Sequence, residues 1–416
     1  MNENELIPHL FRTEYSKIVA VLCKTFGLSN IEIAEDIVSD TFVKAVETWG
    51  VKGLPENPTA WLYQVAKNNA IDLFRRQQLF DKKIAPELQL STPTITEFDF
   101  SEENINDSLL RMMFAVSHPS LTTESQVALA LRVLCGFSID EIGNALLTSK
   151  ENINKRLFRA KEALRNSELE LEDISQKDIE KRLDSVLSIL YLLFNEGYFS
   201  TSTDEKIRED LCFEAMRLAH QLTKINITNV PDVNALLALF CFQTSRFESR
   251  INPSGEQILY GDQNLEKWNT ELIEKGELYL VLSSSKSHLS KYKLEAMIAF
   301  WHTRKSVEEN EKWNHILLLY NLLLQKQYSP ITALNRTYAL AKVKGSKAAL
   351  QEALKIKLES NFLFHSLLSE LYKDLDNNKS IEHLKTAIKL TKNENDRVLL
   401  EKKLKQALTG TLPHGG

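Results

Sequence analysis

Apolar side chains recur three and four positions apart along almost all of the 416 residues, the spacing of one face of a helix. No strand-turn-strand unit interrupts them, so the expected fold is all-α. Ser29 with Glu32 has capping-box spacing and opens a helix to about Thr48, with Ala34, Ile37, Val38, Phe42 and Ala45 inward. Asn57 followed by Pro58 starts another, from Thr59 to about Gln78, with Leu62, Val65, Ala66, Ala70 and Leu73 inward. Between residues 81 and 110 the periodicity fails: Pro86, Pro93 and a Ser/Thr cluster lead into Glu97 to Asp107, which holds five acids and no base. A flexible acidic linker is expected there. A charged stretch from Asn166 to Lys177 marks a second boundary, and periodicity then runs to about Leu408, before a frayed TGTLPHGG tail. The expected domains are 1–80, 111–168 and 175–409, with the linker 81–110 between the first two.

The third part carries a repeat. Tyr338 and Tyr372, Ala353 and Ala387, Leu334 and Leu368, and Leu350 and Leu384 share an offset of 34 residues. That period, with aromatic and alanine positions, is the tetratricopeptide (TPR) signature of two antiparallel helices per unit. Leu294–His302 with Trp313–Leu324 read as a further, degenerate pair.

Residues 121–165 hold three helix starts in succession: Thr123 with Gln126, Ser138 with Glu141 and Thr148 with Glu151. The first helix buries Val127, Ala130, Leu131 and Leu134 and stops at Gly136. The second is short, with Ile139, Ile142, Ala145 and Leu146 inward, and a turn at Leu147–Thr148 follows. In the third, Ile153, Leu157, Ala160 and Leu164 form the inner stripe, while Lys150, Asn154, Lys155, Arg159 and Lys161 face outward and Arg156 sits at the edge. Thr148 to Asn166 holds six bases and two acids. An apolar back with a Lys/Arg/Asn front suits the DNA major groove: cations meet phosphates, and Asn and Arg read base edges. The alternative is a solvated basic face on an ordinary bundle.

The other helices present different chemistry. The outer face of the 31–48 helix carries Glu35, Asp36, Ser39, Asp40 and Lys44, and its three carboxylates suit a basic protein partner rather than DNA, an ordinary solvated face being the alternative. The 59–78 helix shows Trp61, Gln64, Lys67, Asn68, Asp72, Arg75 and Arg76, a surface on which a single strand could stack while cations hold its backbone, a core position for Trp61 being the alternative. Chain-wide charge adds little: 51 bases against 56 acids give a net −5, and residues 1–167 hold 18 bases and 22 acids. Such a chain is expected to bind DNA mainly when another partner holds it. Glycine is scarce, 13 residues, where an average near 7% would put about twice as many. The cysteines Cys23, Cys135, Cys212 and Cys241 lie far apart, so no disulfide framework or zinc site is expected. With no signal peptide and no apolar run long enough for a span, a cytoplasmic location without membrane attachment is expected. There is no HExxH, GxxxxGK[ST] or GxSxG motif, so neither an enzyme nor a cofactor is expected.

Three segments resemble a known family. WLYQVAKNNAIDLFRR is similar to the promoter-melting helix of sigma-70-type initiation factors, AEDIVSDTFVKA to their polymerase-clamp helix, and SIDEIGNALLTSKENINKRLFRAKEAL to their helix-turn-helix for the −35 element. The layout, over about residues 8–168, resembles extracytoplasmic-function (ECF) sigma factors. YLLFNEGYF, DLCFEAMRLAHQL and GDQNLEKWN resemble the TPR-like C-terminal extension of one ECF subgroup, which stands in for a separate anti-sigma factor. The resemblance implies a bacterial initiation factor that binds the clamp coiled coil and flap of core RNA polymerase. Clamp binding falls to Glu35, Asp36, Ser39, Asp40 and Lys44. Opening of the −10 element, first as duplex and then as single strand, falls to Trp61, Gln64, Lys67, Asn68, Asp72, Arg75 and Arg76, with the loop Lys52–Asn57 trapping an extruded base. The −35 duplex falls to Ser149, Lys150, Asn152, Asn154, Lys155, Arg156, Arg159 and Lys161. The acidic linker would thread through the polymerase. The extension would be a fused regulator, taking a regulatory protein or peptide, with Asn195, Glu196, Tyr198, Arg246, Asp262, Gln263 and Trp268 as its signal or contact cluster; helix-stapling hydrogen bonds are the other reading of those residues. A helical scaffold with a DNA-docking N-terminal module is the alternative function.

Overall fold

The computed structural model describes residues 3–84, 98–146, 148–167, 175–198, 208–250, 258, 260–284, 289–304, 307–391 and 394–409. Among them are nineteen α-helices, three short 3-10 turns and no strand. No helix of the described residues is long and apolar enough to cross a membrane. The chain divides into two compact units, Met1–Leu193 and Phe194–Gly416.

The first unit holds α1 (Glu3–Phe26), α2 (Ile31–Lys52), α3 (Pro58–Ile84), α4 (Glu102–Val116), α5 (Thr123–Val133), α6 (Ile139–Ala145), α7 (Lys150–Asn166) and the start of α8 (Gln176–Tyr198). Its centre is α1, which packs on α2, α3, α4 and α5. Tyr15, Ile18, Val19, Leu22 and Cys23 on α1 are all buried. The stripes expected from periodicity are inside: Ala34, Ile37, Val38, Phe42 and Ala45 on α2, Leu62, Ala66 and Ala70 on α3, and all four expected residues of α7. Val65 and Leu73 are half-buried.

Helix ends follow the side chains that satisfy their first amides. Asn57 accepts from the Ala60 amide at 3.0 Å and starts α3 as expected. Ser138 and Glu141 form a complete capping box. At two other starts the cap is a neighbouring residue: Thr122 rather than Thr123 for α5, and Ser149 rather than Thr148 for α7. Ser29 caps nothing, because a 3-10 turn at Leu28–Asn30 precedes α2 and Asn30 is its N-cap residue, without a side-chain capping bond.

The stretch 81–110 is not a continuous linker. The helix α3 continues to Ile84, and α4 begins at Glu102. Ser101 caps α4, and Glu102 and Glu103 sit in its first turn, where carboxylates favour the positive end of the helix dipole. Two of the acids taken for a linker, Glu102 and Glu103, are thus helix-starting acids. Residues 85–97, including Pro86 and Pro93, lie outside the described residues, as do Leu147, 168–174 and the tail from 410.

The second unit contains the end of α8, then α9 (Glu209–Thr223), α10 (Pro231–Thr244), the short α11 (Phe247–Arg250), α12 (Thr270–Leu282), α13 (Lys291–Thr303), α14 (Glu309–Lys326), α15 (Pro330–Lys344), α16 (Ser346–Ala353), α17 (Phe362–Tyr372), α18 (Asn377–Leu390) and α19 (Glu394–Thr409). Neighbours in sequence pack as pairs: α13 with α14, α15 with α16, and α17 with α18. The 34-residue offset relates α15–α16 to α17–α18, and Leu334, Leu368, Ala353 and Ala387 are all buried at matching places. Two glycines permit close approach: a Cβ on Gly276 would lie 2.7 Å from the Phe242 ring, and one on Gly197 would lie 2.7 Å from Cys212 Sγ.

Candidate nucleic-acid interface

The helices α5, α6 and α7 form a helix-turn-helix. Arg132 stands in the last turn of α5, and Gly136, at φ +68°, turns the chain into α6. A Cβ at Gly136 would meet the Tyr15 ring at 3.2 Å, so glycine serves both the turn and the packing. Between α6 and α7 the Thr148 amide donates to the Gly143 carbonyl at 3.0 Å. Gly143 also faces the Thr148 carbonyl, 3.0 Å from where a Cβ would stand, so the turn is tight.

Opposite its buried stripe, α7 exposes Lys150, Asn152, Asn154, Lys155 and Arg159, with Arg156 half-buried. Ser149 is used as the cap, accepting from the Asn152 amide at 3.3 Å. The Asn152 side chain donates to Thr148 Oγ1 at 3.3 Å, and Lys150 pairs with Asp140 at 2.5 Å. Phe158, which sequence reasoning passed over, is 62% exposed on this same face. Its signal was available: it stands four residues after Asn154 and three after Lys155, off the buried stripe. A 330 Å³ pocket lies between the first turn of α5 and the pair Arg156 and Arg159, with Thr122 and Glu124 in its wall. A helix N-terminus beside two guanidinium groups is a place where a DNA phosphate is favoured.

On α3, Gln64, Asn68, Asp72, Arg75 and Arg76 are exposed and Lys67 is half-buried. Gln64 donates to Asn68 Oδ1 at 3.0 Å. Arg75 stands 3.9 Å from Asp72 with both side chains mostly in solvent, a pair too wet to hold either in place. Trp61 is half-buried and packs edge to face on the buried Trp49 of α2, with centroids 5.2 Å apart. The ring is thus partly in the core and partly reaches solvent.

The acidic face of α2 divides. Asp36, Ser39, Asp40 and Lys44 are exposed beside Val43 and Val46, each 54% exposed. Glu35 is buried instead. Its Oε1 accepts from Tyr15 Oη at 3.1 Å and Arg132 Nε at 2.6 Å, and its Oε2 accepts from Lys161 Nζ at 2.6 Å. Two residues expected on outward surfaces therefore meet each other. Glu35 lies beside Ala34 and Val38 at the margin of the α2 stripe, and Lys161 lies beside Ala160 and Leu164 at the margin of the α7 stripe. Closing α7 over this region covers both margins. Burial pushes the Tyr15 phenol up, and the Glu35 carboxylate pushes it further. Burial also works against the charge on Arg132, but Tyr15 and the Glu35 carboxylate beside it outweigh that and hold the guanidinium above its ordinary range.

Of the expected cluster in the second unit, Tyr198, Arg246 and Trp268 come together. Arg246 donates to Tyr198 Oη at 3.2 Å and lies 5.9 Å from the Trp268 ring centroid. Gln263 is buried and accepts from Ser249 Oγ at 3.4 Å. Glu196 and Asp262 are exposed, and Asn195 is half-buried. Four residues join that the sequence reading did not collect: Arg250 lies 4.1 Å over the Tyr198 ring, Lys312 donates to Tyr260 Oη at 2.9 Å, and Tyr260 Oη donates to the His302 carbonyl at 2.7 Å. Burial, then Arg246 and Lys312, push the His302 imidazole down to about 3. The cluster is electropositive: although burial opposes it, Arg250 and Arg246 hold the Tyr198 phenol below its ordinary value.

A model of sigma-70 region 2 matches residues 10–80, and a model of sigma-70 region 4 matches residues 112–164. A family of unknown function, DUF6596, matches residues 182–284. An uncharacterised protein of Rhizobium meliloti (strain 1021) is 33% identical over 352 residues, 83% of each chain. The ECF RNA polymerase sigma factor SigX of Bacillus subtilis is 24% identical over 36% of this chain and 79% of its own. The RNA polymerase sigma factor YlaC of the same organism is 26% identical over 40% of this chain and 94% of its own. No solved structure matches.

Proposed function

The chain belongs to the extracytoplasmic-function branch of the sigma-70 family and carries a helical C-terminal extension, and from that premise we propose how its surfaces divide the work of transcription initiation. A sigma factor binds core RNA polymerase and promoter DNA without being an enzyme. Here α7 enters the major groove of the −35 element. Lys155 and Arg159 meet phosphates and base edges, and Asn154 reads an adjacent edge. The exposed side of α3, with Gln64, Asn68, Arg75, Arg76 and the open part of Trp61, receives the −10 strand as it leaves the duplex. Base extrusion costs a few kcal/mol, and stacking on an aromatic returns about 1–3 kcal/mol per base. Asp36 and Asp40, with the apolar Val43 and Val46 beside them, dock on a basic surface of the polymerase clamp.

The observation that supports this reading best is the helix-turn-helix itself: four apolar residues of α7 buried and a basic, amide-bearing face exposed, within the residues that match region 4. The test is reconstitution of full-length protein with core polymerase. Co-elution and promoter opening are expected, and both should weaken with Arg159→Ala and Arg75→Ala. Absence of co-elution sinks the reading.

For the second unit, the proposed role is regulation of that activity through the Tyr198–Arg246–Trp268 cluster. Trp268→Ala is expected to change promoter output at equal protein level. Unchanged output in every growth condition would assign the cluster to helix stapling alone.

A further inference from the structure

We propose that Arg246 and Arg250 hold a binding site for a small organic anion, a molecule whose carboxylate or phosphate the two guanidinium groups grip and whose body lies against Tyr198, Tyr260 and Trp268. This deepens the regulatory reading of the same cluster by naming the chemistry of its ligand. Only an effect on transcription rests on that reading; the binding itself does not.

The site is assembled where α10 gives way to α11. Arg246 stands between the two helices, and Arg250 ends α11 one turn later. Their charges converge on aromatic rings. Arg246 lies 5.6 Å from the Tyr260 centroid and 5.9 Å from that of Trp268, and Arg250 lies 4.1 Å over Tyr198. An aromatic face attracts a cation, but it offers the in-plane N–H groups of a guanidinium no oxygen. Arg246 donates to Tyr198 Oη at 3.2 Å, yet its Nε is buried without a hydrogen-bond partner among the described residues, and so is Arg250 Nη1. The third cation differs. Lys312 is bonded to Tyr260 Oη at 2.9 Å and to Glu309 at 3.2 Å. The two arginines are therefore the groups short of acceptors, and a buried donor left so costs free energy that an incoming oxygen returns.

Charge and space point the same way. Arg246 and Lys312 are the charges that act on the His302 ring, and no carboxylate of the described residues offsets them there. His302 Nδ1 is likewise buried without a hydrogen-bond partner among those residues. Tyr260 and His302 stand 5.1 Å apart between ring centroids, and both line a cavity of about 1310 Å³, with Gly261, Asp262 and Trp313 also in its wall. Asp262 is exposed, so its carboxylate keeps its own water. Small-molecule sites occupy about 300–1,000 Å³, and the cavity is ample for one beside the cluster. The planar fork of a guanidinium matches the two oxygens of a carboxylate or phosphate, which a lysine meets only as a point charge. Three aromatic residues around the fork favour a ligand with a flat apolar body behind its anionic group.

The test uses the full chain and three probes, phenyl phosphate, phenylacetate and the neutral phenol, each followed by isothermal titration calorimetry. At least one of the two anions is expected to bind roughly tenfold or more tightly than phenol, and the better of them identifies the anionic group. Arg250→Lys keeps the charge but loses the fork, and Arg250→Gln loses both; each should weaken that anion roughly tenfold or more, with helical content by circular dichroism as the folding control. Because α7 also exposes cations, the place of binding is read in the unmutated chain. Arginines are modified with phenylglyoxal and mapped by peptide mass, and the anion should protect Arg246 and Arg250 while Arg75 and Arg159 stay reactive. Anions that bind no better than phenol, or that leave Arg246 and Arg250 unprotected, overturn the proposal. Binding and protection at these arginines with no change in promoter output would uphold the site and strike the regulatory reading instead.

Discussion

Phe158 gives the sharpest test of α7 as a reader of duplex DNA. It is 62% exposed on the basic face, where water gains nothing from an aromatic ring. In a major groove the natural partner of such a ring is a thymine methyl. A phenylalanine side chain presents about 200 Å², so about 120 Å² is open here. Covering half of that at about 25 cal/mol per Å² contributes about 1.5 kcal/mol, roughly tenfold in affinity. The methyl group alone accounts for about 0.8 kcal/mol, roughly fourfold. The assay is fluorescence anisotropy of full-length protein with core polymerase on −35 duplexes in which each thymine is replaced in turn by deoxyuridine. Wild-type protein should lose roughly fourfold at one position. Phe158→Ala should lose roughly tenfold on the thymine duplex and nothing more at that deoxyuridine, because the partner is already gone. Its thermal stability should hold, since the ring makes no core. Additive losses, or Phe158→Ala binding like wild-type, would refute the assignment.

Three further outcomes are expected. Gly276→Ala should destabilise the second unit by about 1–3 kcal/mol, because the new Cβ meets the buried Phe242 ring at 2.7 Å; a denaturant titration followed by tryptophan fluorescence reads it. His302 stays neutral in the fold down to about 3, while the unfolded chain takes up its proton near the ordinary imidazole value of about 6.5. Between those limits the unfolded state binds more protons, so stability falls as pH falls; the melting temperature should drop from pH 7 to pH 5, and His302→Gln should shrink that drop. Trp61→Ala should reduce promoter opening more than polymerase binding, as read by permanganate footprinting beside co-elution. An equal loss in both would mean that the Trp49 contact is its whole role.

The capping box at Ser138 and Glu141 was legible because only one candidate stands at that start, whereas at α5 and α7 two adjacent hydroxyl residues compete and the backbone chooses the one in extended conformation. Glu102 and Glu103 misled as a linker because acids serve equally well in a solvated loop and in the first turn of a helix. Phe158 adds nothing to the charge pattern that marks this face, although its place on the helix puts it outside.

Helical period, inner stripes, the basic front of α7 and the 34-residue repeat were all determined by the sequence, because each depends on residues within a few turns of one another or on a repeated spacing. The fate of Glu35 was not. It stands at the margin of a stripe, where local pattern allows either burial or solvent, and its cations come from residues 97 and 126 positions away. Which margins become interior is settled only when helices close over one another, and that closure turned an expected outer carboxylate into the buried centre of an ion-pair network.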